Sequence, residues 1–558
     1  MFGGWSSIWA FLILLILSVG VSVMVVLFKK QKNGCEGGFL HGAVAADSLV
    51  CSKIGKDILK DGGSPVDAAI AALLCTSVIN PQSMGLGGGV IFTIYNASTG
   101  LVEVINARET VPNNSSLDLA KCETNFFKTG VQWIGVPGEL RGYEAAHNRH
   151  GRLPWKSLFE PTIKLITEGV KVTPITNKFL KLPKIVELIK ENTVCKLLCK
   201  GQDVLKEGQF VNFTQLGHTL NTVAQNGADS FYHGIIAEQM LEDLSSQGST
   251  LTMDDLRNYK VHIRGALNVS LGSHNLYSVP QPIGGVLLSF ILKVLEGYNF
   301  SESSIEDEGT QIETYHLIAE VMKFANGLKN MLGKPQTEKK MEEVTKFLLS
   351  KSFTQQIRNQ IDGYGNHSFQ YYNTVPQPET FGTSHVAVIG QDGSSVSATS
   401  SINFMFGSMV YSPRTGIIFN NQLGDFCNYG THMNSGQRPP SSMAPSILLS
   451  NKKNFQLVIG ASGGSHITSA IALSIINKVW FGENLKKAIK DPKMHVTADN
   501  QLVFESLFSM EVQKGLQRRG HQISNSSMFY GVVQGVSQEE TCLFAHSDHR
   551  KMGEAAGY

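Results

Sequence analysis

The chain has 558 residues, of which 42% are hydrophobic, and its formal net charge is +2. This length is enough for several ordinary domains or for one large catalytic unit with a sizeable core. The hydrophobic content is typical of a globular protein, and the near-zero charge gives no support to a nucleic-acid or strongly acidic partner.

Residues 8–28 form an uncharged, apolar run, and no basic residue precedes them. A helix needs about 20 residues to cross a bilayer, whereas the apolar region of a signal peptide has about 7–15. We therefore predict a transmembrane signal-anchor at 8–28, after a short cytoplasmic tail at 1–7 and before a juxtamembrane stalk at 29–40. A cleaved signal peptide is the alternative.

Two signals disagree about the orientation of this anchor. Lys29, Lys30 and Lys32 follow the apolar run, and the positive-inside rule would then place the body in the cytoplasm. An even number of cysteines and many glycosylation sequons favour an extracellular or lumenal body instead, which we expect. The sequons begin at Asn96, Asn113, Asn114, Asn212, Asn268, Asn299, Asn366 and Asn525.

In the first part of the body, the sequence pattern predicts helices and then strands. Residues 43–74 have a helical pattern with a candidate N-cap at Ser64. The glycine-rich residues 85–89 precede a strand at 90–95 rather than opening a helix, which argues against a phosphate-binding loop and for close backbone packing.

Arg108 follows a strand at 102–105. Such an arginine is usually solvated, but its planar fork would suit a carboxylate if it faced a cavity.

Residues 156–350 read mostly as helices joined by short loops. His147 with His150, and His546 with His549, stand three residues apart, but neither pair has cysteines or carboxylates nearby at metal-ligand spacing. We therefore predict no metal and no cofactor.

Residues 383–403 have the pattern strand, turn, strand around Asp392 and Gly393. A two-residue turn would place Ile402 opposite Thr383. A three-residue turn at 391–393, with Gly393 in the left-handed conformation, places Ser401 opposite Thr383 and Asn403 beside it. We favour the second register because it gives Thr383 polar neighbours.

Thr383 is a candidate nucleophile. Cleavage of the Gly382–Thr383 bond would leave a hydroxyl and a free α-amine on one residue, a nucleophile with its own general base. The pKa of an α-amine is about 7.7–8.0, so a useful fraction is unprotonated near neutral pH. Gly382 tolerates the strained backbone that self-cleavage requires. A Gly-Thr pair is also an ordinary entry to a strand, so the surrounding motifs have to decide.

Motifs in both halves of the chain resemble those of the γ-glutamyltransferases, and in particular their γ-glutamyl leukotrienase branch. The likeness runs from about residue 40 to the last residue. Small-subunit motifs are matched in order at 382–385, 397–403, 440–443 and 460–464, and large-subunit motifs at 80–89, 106–110 and 136–142.

This resemblance implies an α/β fold, the αββα four-layer sandwich of N-terminal-nucleophile hydrolases. It implies self-cleavage at Gly382-Thr383 into a large subunit, 41–382, and a small catalytic subunit, 383–558, which form a heterodimer. The implied enzyme is a glutathione hydrolase and acyltransferase at the plasma membrane, single-pass type II with its body outside. Its implied substrates are glutathione, leukotriene C4 and other glutathione conjugates, with water, amino acids or dipeptides as acceptors.

The family positions also imply roles for single residues. Thr383 is the nucleophile, Ser401 supports it, and the backbones of Gly463 and Gly464 bind the oxyanion. A cation and hydroxyls would hold the α-carboxylate of the γ-glutamyl group, while an anion and amides would hold its α-ammonium. These substrate-binding residues are Arg108, Ser441, Ser442, Asn403, Gln422 and Asp425.

Paired cysteines of the family match Cys51 with Cys75 and Cys195 with Cys199, so the resemblance implies two disulfides. The pairing of the other cysteines stays open. They are Cys35, Cys122, Cys427 and Cys542.

Three positions depart from the family pattern. Gln422 stands where Glu is usual, which removes one charge from the ammonium site. Ser401 replaces the usual Thr and keeps the hydroxyl, and Lys334 stands where the family tends to have Asp. The change at 422 puts donor affinity in doubt, so a non-catalytic surface glycoprotein with a weakened site is one alternative.

A serine hydrolase is the other alternative. Residues 460–464 satisfy Gly-x-Ser-x-Gly, with Ser462 as the nucleophile between a strand-like and a helix-like segment. Candidate triad partners follow in the Ser–Asp–His order, but this interpretation leaves Thr383 and the paired serines unexplained. These partners are Asp491, Asp499, His495 and His546.

Overall fold

The computed structural model describes residues 35–115, 117–122, 126–334, 336–375, 382–428, 433–452, 455–524 and 531–558. The predicted anchor at 8–28 and the sequon at Asn525 lie outside these residues. Across the described ranges, no helix combines the length and the apolar character needed to cross a membrane.

A seven-stranded and a six-stranded antiparallel sheet lie at the centre of the molecule. In chain order their strands are β1 (Ala43–Ala45), β2 (Gly89–Asn96), β3 (Leu101–Ala107), β4 (His262–Gly265), β5 (Leu267–Leu271), β6 (His274–Ser278), β7 (Ser384–Ile389), β8 (Ser395–Ser401), β9 (Ser446–Ser450), β10 (Phe455–Ser462), β11 (Val532–Glu539), β12 (Cys542–Ser547) and β13 (Ala556–Gly557). The first sheet has the order β13-β1-β7-β8-β2-β3-β4, and the second has the order β12-β11-β10-β9-β6-β5.

Helices cover the outer faces of both sheets. In chain order α1 to α19 are Leu49–Lys60, Pro65–Ile79, Glu139–His150, Glu160–Glu168, Pro174–Leu180, Pro183–Glu191, Cys195–Leu198, Thr214–Asn226, Asp229–Tyr232, Ile235–Ser245, Met253–Arg257, Gly285–Glu296, Glu308–Gly333, Glu338–Leu348, Lys351–Gln360, Phe369–Tyr372, Ile467–Ile475, Leu485–Lys490 and Met510–Arg518. Short strand pairs lie outside the two sheets, at Val170–Lys171 with Phe210–Val211, Cys199–Lys200 with Asp203–Val204, Tyr411–Ser412 with Ile417–Ile418, and Met494–Val496 with Leu502–Phe504.

The layers follow from the alternation of side chains along the strands. In β7, Val386 and Val388 pack in one apolar core with the helices that cover the first sheet. Ala387, between them, faces the second sheet and packs in a core with Val458 of β10. Leu457 of β10 points the other way, into a third core with α12 and α17. The order of layers is therefore helix, sheet, sheet, helix, as the resemblance implies.

Two local predictions meet different outcomes at the start of the body. Ser64 caps α2 as predicted, because its Oγ accepts the Asp67 N–H while the Asp67 carboxylate accepts the Ser64 N–H. The helical interpretation of 43–74 is wrong at its beginning, since Ala43–Ala45 form β1 between β7 and β13. Pairing on both edges overrides the helix propensity of alanine there.

The prediction that 156–350 is mostly helical is wrong at 262–278, where the chain forms β4, β5 and β6. Burial alternates along β5, with Val269 and Leu271 buried and the residues between more exposed. This period of two is the sequence signal that would have indicated a strand.

Four disulfides join all eight cysteines. Cys51–Cys75 and Cys195–Cys199 are present, as the resemblance implies. Cys35–Cys542 and Cys122–Cys427 are additional, and both connect residues before 382 to residues after 383. The sequon asparagines in the described part are all at least partly exposed, so each is open to a glycan.

The two sheets approach each other closely at Gly460 of β10. A Cβ at this position would lie 2.2 Å from Cε1 of His385 on β7. His385 is fully buried, its Nδ1 lies 2.8 Å from Thr399 Oγ1, and burial lowers its pKa to about 3, so the ring is neutral.

We expect Gly460→Ala to lower the free energy of unfolding, because the new methyl group has to displace a buried ring. The loss should be about 1–3 kcal/mol, the usual cost of overpacking a core. Urea unfolding of Gly460→Ala and of Gly363→Ala measures it, since a Cβ at Gly363 meets nothing within 4 Å. Equal stability of the two variants would contradict this account of the sheet contact.

Candidate active site

Thr383 lies immediately before β7 and next to the end of β8. Ser384 pairs with Ser400 in the sheet, so Thr383 stands opposite Ser401. The turn has three residues, 391–393, and Gly393 has φ +78°. The predicted register is therefore confirmed. The Thr383 hydroxyl donates to Ser401 Oγ at 3.2 Å, and this oxygen also accepts the Asn403 N–H at 2.8 Å.

The backbone around the proposed cleavage site is strained. Thr383 has φ +98°, a value that a β-branched residue rarely adopts, and such conformations cost on the order of 1–3 kcal/mol. Gly382 has φ +146°, and a Cβ there would lie 1.6 Å from the Asn403 carbonyl oxygen. Only glycine fits at this position.

The glycine-rich residues 85–89 lie behind this site. A Cβ at Gly88 would lie 2.2 Å from the Ser401 carbonyl oxygen, so the backbones are in close contact, as predicted. Just upstream, the Ser83 carbonyl accepts the N–H groups of both Thr383 and Ile402, each at 3.2 Å. These contacts hold the ends of β7 and β8 in register.

Gly463 contacts the peptide bond that precedes Thr383. Its N–H donates to the Gly382 carbonyl oxygen at 3.2 Å. Gly464 follows at the start of a short 3-10 turn that leads into α17. The structure thus brings Gly463, a predicted oxyanion donor, to the carbonyl that the Thr383 hydroxyl would attack during self-cleavage.

Arg108 and Asp425 form a buried ion pair. Arg108 Nη2 lies 2.9 Å from Asp425 Oδ2, and Arg108 is 1% exposed. Asn403 Nδ2 donates to the other Asp425 oxygen at 2.9 Å. Burial raises the pKa of Asp425, and the charge of Arg108 opposes this effect. An α-amino acid carries its carboxylate and ammonium on one carbon, so a neighbouring cation and anion match both groups.

Ser441 and Ser442 follow Pro440 in the chain. The Pro440 carbonyl accepts a hydrogen bond from Arg108 Nη2 at 3.4 Å, which places both serines near the ion pair. Both serines are partly exposed. The Ser441 N–H donates to the Pro282 carbonyl at 3.2 Å, which fixes the backbone at this position. Ser441 Oγ accepts the Met443 N–H at 3.2 Å, which leaves its own proton free to donate near Arg108.

Gln422 is fully buried, and its Nε2 donates to the carbonyl of Ser401, the residue opposite Thr383, at 3.3 Å. Glu109, which the sequence reasoning did not single out, is buried next to it, with one oxygen 3.8 Å from Arg108 Nε. Burial raises the pKa of Glu109 to about 7, although Arg108 and Gln422 act in the opposite direction. Glu109, a carboxyl with a pKa near neutrality, thus lies next to Gln422, the neutral amide that stands where the resembling family has Glu. Its only signal in the sequence was its place in the motif at 106–110.

Lys551 is a second residue that the sequence reasoning missed. Its ammonium donates to the Thr383 carbonyl oxygen and lies 2.9 Å from Asp47 Oδ2. Asp47 Oδ1 in turn accepts from Gln534 Nε2 at 2.6 Å. Residues from both ends of the chain therefore meet at Thr383, and no local pattern links positions so far apart.

Ser462, the nucleophile of the alternative, is buried at the end of β10, and its hydroxyl has no hydrogen-bond partner within the described ranges. None of its four candidate partners contacts it: Nε2 of His546 has no hydrogen-bond partner in the described structure, and the other three are engaged elsewhere. His495 Nδ1 contacts Ser469, Asp491 pairs with Lys487, and Asp499 accepts from Thr497. The structure does not assemble a Ser–His–Asp triad at Ser462.

Known proteins resemble this chain over almost its whole length. The model of the family described as "Gamma-glutamyltranspeptidase" matches residues 51–558. The mouse glutathione hydrolase 5 proenzyme is 47% identical and covers 98% of each chain, and the human protein of that name is 47% identical over 96% of each. The chain spans nearly the full length of these relatives.

Solved structures support the fold. Cephalosporin acylase from Bacillus halodurans has a TM-score of 0.82 at 24% identity and covers 93% of this chain and 96% of its own. The γ-glutamyltranspeptidase of Pseudomonas nitroreducens has a TM-score of 0.53 at 23% identity, over 59% of this chain and 97% of its own. With the family model and the relatives, these findings show that the chain belongs to the γ-glutamyltranspeptidase family, on the branch of glutathione hydrolase 5.

Proposed function

We propose that the chain is a membrane-anchored γ-glutamyl hydrolase and transferase that acts on glutathione and on glutathione conjugates such as leukotriene C4. One observation carries this proposal: the hydroxyl of Thr383 contacts Ser401 beside the buried Arg108–Asp425 pair. The names of the mouse and human relatives agree with the substrate class. The apolar run at 8–28 and the sequons support a single-pass type II protein at the plasma membrane with its body outside.

Self-cleavage would begin with attack of Thr383 Oγ on the Gly382 carbonyl carbon. Gly463 N–H already donates to that carbonyl oxygen and would stabilise the negative charge that develops on it. The C–N bond then breaks to give an ester between Gly382 and Thr383 Oγ, and water hydrolyses the ester. The products are a carboxylate on Gly382 and a free α-amine on Thr383.

In the mature enzyme this α-amine would act as the general base for the Thr383 hydroxyl. Lys551, whose ammonium contacts the Thr383 carbonyl and pairs with Asp47, would hold Thr383 in place beside this amine. Thr383 Oγ would attack the γ-glutamyl carbonyl and release the rest of the substrate as an amine, which takes up the proton. Water or an acceptor amine then resolves the γ-glutamyl-threonyl ester.

The substrate's α-carbon would lie between Arg108 and Asp425. The α-carboxylate would accept from the planar fork of Arg108 and from Ser441 and Ser442, and the α-ammonium would donate to Asp425 and Asn403. Glu109 would add negative charge behind Gln422 when it is ionised.

Turnover by the purified protein tests this function. We expect it to release glutamate from both glutathione and leukotriene C4 in water, and to form γ-glutamyl dipeptides when an acceptor such as glycylglycine is added. Mass spectrometry of the products measures both reactions, with Thr383→Ala as the inactive control. Turnover of neither donor by a cleaved, folded protein would favour the non-catalytic alternative.

We also expect the chain to cleave itself between Gly382 and Thr383. Protease-free expression should give two fragments on a reducing gel, and N-terminal sequencing of the smaller one should begin Thr-Ser-His. The Thr383→Ala chain should stay intact. Gly382→Ala should also impair cleavage, because its methyl group would collide with the Asn403 carbonyl.

The same samples run without reductant add a second readout. Cys35–Cys542 and Cys122–Cys427 each connect the two expected fragments, so the cleaved protein should migrate as one species until reductant is added. Double replacement by serine at Cys35 and Cys122 should release the fragments without reductant. Cleavage at another bond, or in the Thr383→Ala chain, would contradict the mechanism.

Gln422→Glu should improve donor binding in a pH-dependent manner. Glu109 has a pKa of about 7, so at pH 6 it is mostly protonated in the wild type, and the new carboxylate restores the missing charge. A charge-assisted hydrogen bond adds on the order of 1 kcal/mol, or about a fivefold decrease in KM. At pH 8 Glu109 is already ionised in the wild type. In Gln422→Glu the new carboxyl and Glu109 would be adjacent and would share one proton, so the total charge would change little. The decrease in KM at pH 8 should therefore be about twofold or less.

KM for a γ-glutamyl amide, measured at both pH values, decides this. Glu109→Gln is the matched control, and it should raise KM at pH 8 with little effect at pH 6. If the ratio of the wild-type KM to the Gln422→Glu KM were the same at pH 6 and at pH 8, Glu109 would not contribute to the ammonium site.

A further inference from the structure

A cavity of about 490 Å³ lies where β4, the start of α14 and the loop at 434–438 meet. Sites for small organic ligands span roughly 300–1,000 Å³, so this cavity is large enough for one. Three cationic side chains line it, those of Arg264, Lys334 and Arg438. The residues assigned above to donor binding and catalysis do not line it.

Two of these cations donate hydrogen bonds to backbone carbonyls. Arg264 Nη2 donates to the Gln281 carbonyl at 2.6 Å, and Arg438 Nη2 donates to the Lys260 carbonyl at 2.5 Å. In the part of the chain that the structure describes, none of the three forms an ion pair. The carboxylate that lines the cavity, Glu338, lies 3.2 Å from His262 and, with Glu342, acts on Arg264 only at longer range. The lining therefore carries three positive charges and one negative charge, and the excess cations repel each other unless a further anion lies between them.

Two further features favour an anion. Gln281 lines the cavity, is 1% exposed, and both atoms of its side-chain amide lack a hydrogen-bond partner in the described structure. The eleven-residue helix α14 begins at Glu338 on the cavity rim, and the first N–H groups of a helix favour negative charge.

We propose that this cavity binds a small organic anion with two or more carboxylate groups. The planar guanidinium forks of Arg264 and Arg438 match carboxylates in bidentate geometry, and Lys334 supplies a third positive charge. Lys334 follows the end of α13 and places its charge on the cavity lining beside these two arginines.

The cavity shares a wall with the proposed donor site. Asn106 lines the cavity, and its Oδ1 accepts the backbone N–H of Arg108 at 3.0 Å. Arg438 also lines it and precedes Pro440, whose carbonyl contacts Arg108. The anion site itself does not depend on the proposed γ-glutamyl activity, because it rests on a different set of side chains.

Calorimetric titration of the full-length protein with citrate, at an ionic strength held constant with sodium chloride, tests the proposal. We expect saturable binding of one citrate per chain. Arg264→Met and Lys334→Asp should each weaken it at least tenfold, since each removes a charge that contacts the ligand. Lys339→Met, on α14 but outside the cavity lining, should leave the affinity within about twofold, as expected for an exposed charge screened by salt.

Two comparisons make the outcome decisive. Unchanged γ-glutamyl turnover and melting temperature in Arg264→Met and Lys334→Asp would show that these variants are folded. Inorganic phosphate should bind more weakly than citrate, and tighter binding of phosphate would overturn the assignment to carboxylates. No saturable heat, or equal affinity in the wild type, Arg264→Met and Lys334→Asp, would overturn the site.

Discussion

The backbone at Gly382 and Thr383 is held against Asn403 so closely that only glycine fits before the threonine. The left-handed conformation of Thr383 is unfavourable by itself, so surrounding contacts have to maintain it. Ser83 accepts its N–H, Lys551 donates to its carbonyl, and Gly463 donates to the carbonyl before it. Each of these contacts comes from a different part of the chain. The whole sandwich therefore has to fold before the strained bond forms, which would restrict self-cleavage to correctly folded molecules.

The charges near Thr383 are arranged in a buried environment, where interactions between them are stronger than in water. Arg108 is paired with Asp425, and Glu109 lies behind both. Burial is the main reason that the pKa of Glu109 is raised; the charge of Asp425 adds to this effect, and the charge of Arg108 opposes it. A zwitterionic substrate would supply a second cation and a second anion to the same place. If Gln422 weakens the site for the substrate ammonium, as the resemblance implies, Glu109 would compensate in part, because its charge changes near neutral pH.

The sequence predicted best the features that depend on neighbouring residues. The turn at 391–393, the cap at Ser64 and the strand after the glycines at 85–89 each have a local pattern, and the structure confirms them. Prediction from the sequence failed where tertiary strand pairing determines the secondary structure, as at Ala43–Ala45, whose composition is typical of a helix. Arg108 was recognised through its motif, but its contact with Asp425 depends on bringing together residues more than 300 positions apart. Glu109 and Lys551 were missed because their importance comes from burial and from position, which neither composition nor spacing reports.

The two ends of the chain return to the same place. Asp47 near the beginning and Lys551 near the end form a buried pair that contacts the Thr383 carbonyl, and Cys35–Cys542 joins the same two regions covalently. Cleavage after Gly382 would otherwise leave the nucleophile on one fragment and Arg108 on the other, held together by packing alone. Cys122–Cys427 provides a second connection, only two residues from Asp425. In this chain, cleavage would therefore create a new terminus at the nucleophile without separating it from the residues that bind the substrate.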